Sequence, residues 1–179
     1  MEGNKLLLIE IANFSKYVQS RKAILGLTNR KFSEKTGVSS GEISKIINGN
    51  KKGVSLHSFY YLAVKSGDTI ENVRDFVYPH RSFELNKVPP TIKVKKGRTN
   101  FGQYMKEHFE NETVDFVDDE NGFEKIQAKT GIAEQRLKDI YFNTGAPEPY
   151  EFLLIEKAVG KEPGEMMKDY VEKYPSKRN

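Results

Sequence analysis

Residues 27–73 read LTNRKFSEKTGVSSGEISKIINGNKKGVSLHSFYYLAVKSGDTIENV, a segment in which helix-capping and apolar residues recur at helical spacing. Thr28, Ser39 and Ser55 are of a type that begins helices, because the side-chain oxygen accepts a hydrogen bond from a free backbone N–H. Gly37 stands where the helix after Thr28 must end, since glycine readily takes the left-handed conformation that closes many helices. The segment therefore predicts two short helices joined by a tight turn at Gly37, and another helix after Ser55.

The residues on either side extend this pattern to five helices. Apolar residues from Phe14 onward predict a first helix that ends near Gly26. Thr69 predicts the start of a fifth helix, which Pro79 stops because proline cannot continue a helix. The pattern leaves open whether residues 1–12 lengthen the first helix, add a strand or form a contact between two copies.

These elements resemble the lambda-repressor-like, or xenobiotic-response-element-type, helix-turn-helix family over residues 12–78, which predicts a domain of residues 1–78. The matching residues are Gly-Val-Ser at 37–39, Ile-Ser at 43–44, Ile-Asn-Gly at 47–49, and the later Leu62, Ala63 and Gly67. The resemblance implies a DNA-binding domain whose third helix lies in the major groove. Asn29 departs from the family, which usually has a phosphate-binding glutamine there; asparagine can make a similar contact with less reach.

The resemblance also implies which side chains contact DNA. Those expected to face bases or nearby backbone are Ser39, Ser40, Gly41, Glu42 and Lys45. Those expected near phosphates are Thr28, Asn29, Arg30, Asn48, Asn50, Lys51 and Lys52. Without the resemblance, each serine is read as a helix cap and each lysine as a solvated charge, and for Ser39 the cap is the favoured interpretation. The Glu42 carboxylate can accept a hydrogen bond from a cytosine amine or stay solvated.

The two halves of the chain differ in charge more than the total of +4 suggests. Residues 1–98 hold 18 Lys/Arg and 8 Asp/Glu, a net charge of +10, whereas residues 99–179 hold 11 and 17, a net charge of −6. A polyanion is attracted to the first half and repelled by the second. Residues 79–99 include six of the basic residues and a Pro-Pro pair, which predicts an extended basic linker. That linker can track phosphates and place Arg98 in a minor groove, or serve only as a connector.

Residues 100–179 repeat the first half in outline, which predicts a second, divergent helix-turn-helix domain. Asn-Phe-x-x-Tyr-Val at 13–18 recurs as Asn-Phe-x-x-Tyr-Met at 100–105, and FSEKTGVSSGEISKII at 32–47 recurs as IQAKTGIAEQRLKDIY at 126–141. The predicted fold class is therefore all-α, with two five-helix lambda-repressor-like helix-turn-helix domains in tandem, joined by the basic linker.

The second domain carries different chemistry from the first. Residues 107–125 are rich in Asp and Glu, and the Asp-Asp-Glu run at 118–120 is interpreted as a solvated loop rather than a cation site. Gln135 and Arg136 occupy the equivalent of the third helix and could read adenine and guanine. The acidic charge favours instead a retained fold used for dimerisation or for binding a protein partner. Exposed aromatic residues for such a surface are expected among Phe116, Tyr141, Phe142 and Tyr150, with core packing as the alternative for at least two of the four.

No enzyme chemistry is predicted, nor any cofactor or metal, because cysteine is absent, the three histidines lack metal-ligand spacing, and no phosphate loop or nucleophile motif appears. The absence of a long apolar run predicts that the protein has no membrane segment, and the absence of a signal-peptide pattern and of cysteine makes a cytoplasmic location the expectation. The leading hypothesis is a sequence-specific transcriptional regulator, with repression favoured, that binds double-stranded DNA and can act as a homodimer. Two alternatives stay open: an antitoxin-like or adaptor protein whose acidic half binds a protein, and a chain in which both repeats bind DNA.

Overall fold

The fold is given by a computed structural model that describes residues 2–85, 97–109, 122–143 and 145–175, with side chains from Lys5 onward. Every regular element within those ranges is an α-helix, so the all-α prediction is confirmed there. Most of the predicted linker and acidic insert lies outside the described residues, together with Phe116 and the run at 118–120. The chain divides into two compact units, Met1–Arg81 and Ser82–Asn179.

The described residues hold five helices in each unit. Those of the first unit are α1 (Glu2–Ile24), α2 (Asn29–Thr36), α3 (Ser40–Ile47), α4 (Leu56–Val64) and α5 (Ile70–Val77). Those of the second unit are α6 (Asn100–Phe109), α7 (Phe123–Thr130), α8 (Glu134–Phe142), α9 (Pro149–Ala158) and α10 (Glu165–Lys173). Counted between first residues, α7 to α10 follow α2 to α5 at offsets of 94, 94, 93 and 95 residues. No helix in the described part of the chain is both long and apolar enough to cross a membrane.

A three-residue turn joins α2 to α3. Gly37 ends α2 at a φ of 76°, and its N–H donates to the carbonyl of Ser33 at 2.8 Å. The Ser39 hydroxyl accepts from the N–H of Glu42 at 3.2 Å and so begins α3. Val38, between the two caps, is only 8% exposed and packs into the core. Gly37 and Ser39 thus act as the sequence predicts, because a cap depends on residues within about one helical turn of itself.

Residues 2–12 are a helical extension of α1 rather than a strand. Glu10 is buried and pairs with Arg81 Nε at 2.5 Å, while the amide of Asn13 donates to the carbonyl of Val77 at 3.2 Å. The partners are separated by 71 and 64 residues along the chain. Glu10 and Asn13 on α1 therefore hold the carboxyl-terminal end of the first unit, at Val77 and Arg81, against this helix.

The core of the first unit places α1 against both α3 and α4. The rings of Phe14 and Phe59 are almost completely buried, with centroids 5.9 Å apart. Burying each such side chain contributes roughly 1.5–3 kcal/mol. At the end of α3, the Ser15 hydroxyl donates to the carbonyl of Ile47 at 2.7 Å. α3 is thereby held on the unit from its apolar side and at its carboxyl end.

The turn between α7 and α8 has the same local structure as the turn between α2 and α3. Gly131 takes a φ of 66° and donates to the carbonyl of Gln127 at 3.0 Å. Thr130 Oγ1 donates to the carbonyl four residues earlier at 2.7 Å, as Thr36 Oγ1 does in the first unit. The shared Lys-Thr-Gly residues therefore form equivalent helix ends in the two units.

α6 crosses the end of α8 at very short range. A Cβ built on Gly102 would lie 2.1 Å from the carbonyl oxygen of Tyr141, so only glycine fits there. The N–H of Thr99 donates to the same oxygen at 2.8 Å. Tyr141 is fully buried because α6 covers the end of α8, so for this residue core packing is the correct interpretation and exposure is wrong. The other two described aromatic candidates, Phe142 and Tyr150, are half-buried.

The carboxylate of Glu156, inside the core of the second unit, caps the backbone N–H groups at the start of α10. This α9 side chain is fully buried, and its carboxylate accepts from the N–H groups of Gly164 at 2.8 Å, Met166 at 2.6 Å and Met167 at 3.0 Å. Burial raises the pKa of Glu156 to about 7, although the three hydrogen bonds favour the ionised form. In the first unit the equivalent helix is begun by Thr69, whose hydroxyl accepts from the helix backbone.

Candidate nucleic-acid interface

The first turn of α3 is open to solvent. Ser40 and Gly41 are exposed, and a Cβ built on Gly41 would meet no atom within 4 Å. Ile43 and Ile46, further along the helix, are buried in the core. α3 therefore presents a small, polar amino-terminal end while its apolar side holds it on the unit.

Asn29 braces α2 against two neighbouring helices. Its Nδ2 donates to Ser44 Oγ on α3 at 3.2 Å, and its Oδ1 accepts from Lys22 Nζ on α1 at 2.7 Å. The bond to Ser44 uses one of the two Nδ2 hydrogens, so the other is left for the phosphate contact expected from the resemblance. Sequence reasoning missed Lys22, because no spacing rule joins a lysine near the end of one helix to the first residue of the next.

Glu42 and Lys51, expected at a base and at a phosphate, are paired with each other. Lys51 Nζ lies 2.7 Å from Glu42 Oε1, and Ser58 Oγ of α4 donates to the same oxygen at 3.4 Å. The two charged side chains are 27% and 23% exposed, so the pair is partly shielded from solvent. The contact ties together α3, the loop that follows it and α4.

Most of the other expected contact residues have exposed side chains. Lys45 and Lys52 are exposed, and neither has an ion-pair partner among the described residues. Arg30 is exposed and pairs with Glu34 at 3.2 Å across one helical turn. The remaining exposed members of the expected set are Thr28, Ser39, Asn48 and Asn50. The start of α2, the start of α3 and the loop after α3 thus supply polar and cationic groups to solvent.

Among the described side chains of the first unit, most of the basic ones have no acidic partner. Residues 1–81 hold 13 Lys/Arg and 7 Asp/Glu, a net charge of +6. Of the six acidic side chains described there, five lie within 4.0 Å of a basic group of the same unit. These pairs are Arg21–Asp68, Arg30–Glu34, Lys51–Glu42, Arg74–Asp75 and Arg81–Glu10. The excess positive charge is therefore available to an external anion.

The equivalent helix of the second unit, α8, has its polar side chains paired internally. Arg136 donates to both carboxylate oxygens of Glu151 at 2.6 Å and to the carbonyl of Ala146 at 3.1 Å. The hydrogen bonds to Glu151 raise the pKa of Arg136, and all three bonds hold its guanidinium within the unit. Gln135 is exposed, and its amide donates to Asp139 at 3.1 Å. A bidentate guanine contact by Arg136 would require at least one of these bonds to break, because they already engage the Nε hydrogen and both Nη2 hydrogens.

Arg98 is held by contacts within the second unit. Its Nη1 donates to the carbonyl of Gly102 at 3.1 Å, and its guanidinium carbon lies 5.5 Å from the ring centroid of Phe142. An arginine over an aromatic ring is held by the attraction between the cation and the ring face. Placing Arg98 in a minor groove would mean giving up these contacts.

Comparisons with family models, with curated proteins and with solved structures found no match for this chain.

Proposed function

We propose that this protein is a sequence-specific DNA-binding transcriptional regulator whose first unit is a helix-turn-helix domain with α3 in the major groove. The observation that carries the proposal is the open first turn of α3, where Ser40 and Gly41 lie exposed next to the Ser39 cap. A helix that enters the major groove needs such a small polar end, since bulky side chains there would keep its backbone from the base edges. The net charge of +6 in residues 1–81 favours binding to phosphates.

The decisive test is selection of bound sequences from a random duplex pool by the full chain. We expect an enriched motif with wild-type protein, and loss of that motif with the double variant Ser40→Ala/Lys45→Ala. Lys65→Ala is the control, because it removes one exposed positive charge after α4, away from α3 in sequence. If wild-type protein enriches no motif, sequence-specific regulation is ruled out. A palindromic motif with half-sites about 34 Å apart would indicate that two copies bind together.

Lys52 is expected to contact a phosphate without contributing to sequence preference. Replacing Lys52 with alanine should leave the selected motif unchanged and reduce the salt dependence of binding, lowering the magnitude of the negative slope of log K against log salt by about 0.9. The measurement is fluorescence anisotropy with a duplex that carries the motif, over a series of salt concentrations. Lys65→Ala should leave that slope unchanged, and an equal fall in both variants would show only a general charge effect.

Gly41 is expected to affect stability and DNA binding in opposite directions. Gly41→Ala should raise the free energy of unfolding of the first unit by about 0.5–1 kcal/mol, because alanine is the better helix former and meets no neighbour. The added methyl group should lower DNA affinity, since it stands between α3 and the bases. Denaturation and anisotropy measure the two effects. Ser20→Ala, at an exposed site on α1, is the control; equal affinity of Gly41→Ala and wild type would contradict the docking of α3.

An adaptor function is the second candidate, and the pairing of Arg136 with Glu151 favours it. That pairing occupies the one arginine of α8, and residues 82–179 hold 16 Lys/Arg and 18 Asp/Glu, a net charge of −2. A unit of this kind is suited to binding a protein rather than a polyanion. An adaptor would bind DNA only in a salt-labile manner indifferent to sequence, so the selection experiment separates the two candidates.

A further inference from the structure

We propose that Glu42 is a positioning residue, which holds Lys51 and the loop after α3 in place for a DNA phosphate and does not itself read a base. The inference rests on the proposed function and refines it. It assigns different roles to two residues that the sequence places together in one contact surface. The carboxylate acts on the lysine, and the lysine acts on the DNA.

The geometry of the pair supports this division of roles. Glu42 Oε1 lies 2.7 Å from Lys51 Nζ and accepts from Ser58 Oγ at 3.4 Å, and Ser58 is buried. One carboxylate oxygen therefore links α3, the loop and α4. Both contacts engage Oε1 and fix the direction of the carboxylate, so a cytosine amine could be met only by Oε2 in that fixed orientation. Turning the carboxylate toward a base would give up a partly shielded ion pair, in which each partner loses its compensating charge.

The same pair leaves the lysine able to bind an anion. An ammonium group has three hydrogens, so its bond to Glu42 leaves two for other acceptors. The side chain of Lys51 is 27% exposed, which keeps part of it at the surface. A lysine stem that is already ordered loses less conformational entropy when it binds than a freely rotating one. Lys51 is thus prepared for a phosphate, whereas the exposed Lys52 is not held in this way.

In the second unit a basic residue, Arg136, makes the interactions that correspond to those of the acidic Glu42 in the first. The helix offset of 94 residues places Arg136 on α8 where Glu42 stands on α3, and the offset of 93 places Glu151 on α9 where Ser58 stands on α4. Arg136 bonds to Glu151 and to Ala146 in the loop between those helices. In both units, then, this helix position ties the following loop to the fourth helix. Only in the first unit does the loop carry the cation.

A positioning role for Glu42 predicts a change in DNA affinity that is opposite in sign to the one expected from charge alone. Removing a negative charge from a DNA-binding surface normally strengthens binding, because repulsion from the phosphates is reduced. If Glu42 positions Lys51, removing the carboxylate releases the lysine and weakens binding instead. The sign of the effect therefore distinguishes a positioning carboxylate from one that is merely near DNA.

The test measures binding of the full chain to a duplex carrying the motif selected by wild-type protein, over a series of salt concentrations. The variants are Glu42→Ala, Glu42→Gln, Lys51→Ala and the double variant Glu42→Ala/Lys51→Ala. We expect Glu42→Ala and Lys51→Ala each to lower affinity by about tenfold, and the double variant to be no weaker than either. The magnitude of the negative slope of log K against log salt should fall by about 0.9 in each variant, since the same phosphate contact is lost. Glu42→Gln should lose less, because its amide oxygen still accepts from Lys51.

Asp75→Ala is the matched control, because it removes an equal charge from an ion pair on α5 whose arginine, Arg74, is not among the expected DNA contacts, and it should not weaken binding. Denaturation of each variant shows that binding is measured on folded protein. Unchanged or tighter binding by Glu42→Ala would overturn the positioning role. So would a changed preference at one base pair that persists in the Lys51→Ala background, which would make Glu42 a direct reader. If wild-type protein selects no motif, the proposed function itself fails and the positioning role fails with it.

Discussion

Gly102→Ala is expected to unfold the second unit while the first stays folded. The added Cβ would lie 2.1 Å from the carbonyl oxygen of Tyr141 and 2.9 Å from its carbonyl carbon. Both atoms are backbone, so relief requires α6 and α8 to separate, and the aromatic packing around Tyr141 would be lost with them. Because the obstructing atoms are backbone, the cost should lie at the upper end of the range for overpacking, about 3 kcal/mol. The measurement is denaturation of the full chain, with the unfolding of each unit monitored by its own probe so that the two free energies of unfolding are obtained separately.

The first unit shows why this position is sensitive. At the same crossing it has Ser15, whose hydroxyl donates to the carbonyl of Ile47 at 2.7 Å, so a side chain fits between the helices there. In the second unit the helices are too close for any side chain. Gly41→Ala is the matched control, because it makes the same substitution in a helix where nothing lies within 4 Å. Equal stability of Gly102→Ala and wild type would show that α6 and α8 do not cross at this distance.

Glu156→Ala is expected to be the second strongly destabilising change. It leaves three backbone N–H groups at the start of α10 without their acceptor inside the core. Unsatisfied buried donors cost about 1–3 kcal/mol each, so the second unit should lose at least about 3 kcal/mol. The measurement is chemical denaturation at pH 5. Glu162→Gln, at an exposed site just before α10, should leave stability nearly unchanged.

The same residue should make the second unit less stable as pH rises. Burial raises the pKa of Glu156 from 4.5 to about 7, so the folded state binds the proton more tightly than the unfolded state does. The free energy of unfolding should therefore fall between pH 4.5 and pH 7, by on the order of 3 kcal/mol, and level off above. Glu156→Gln should remove this dependence, because it cannot ionise. A wild-type profile that matches that of Glu156→Gln would show that the carboxyl ionises normally.

The helix ends of the candidate interface were predictable from neighbouring residues. Gly37 takes a left-handed conformation and Ser39 caps α3 whatever the rest of the chain does, because both effects act within about one turn of the backbone. The excess of positive charge in the first half follows from counting residues. The exposure of Ser40 and Lys45 follows from helical periodicity, since Ile43 and Ile46 take the buried side.

Partner choice among the polar side chains was not predictable in this way. Glu42, expected at a base or in solvent, pairs with Lys51, and Arg136, expected to be able to read guanine, pairs with Glu151. Both pairs join residues nine or more positions apart that lie on different elements, so helical spacing says nothing about them. A charge pattern indicates that a lysine is present, but the neighbours that are packed against it decide where its ammonium group goes.

The sequence by itself determined the all-α class, the caps that bound α2 and α3, and the division of charge between the two halves. Each of these depends on residue type and on neighbours within a few positions. Only the tertiary structure decided the helical extension of α1, the requirement for glycine at position 102 and the burial of Glu156. These depend on how closely segments distant along the chain approach one another, and approach distance is set by the packing of the whole unit, which no local pattern contains.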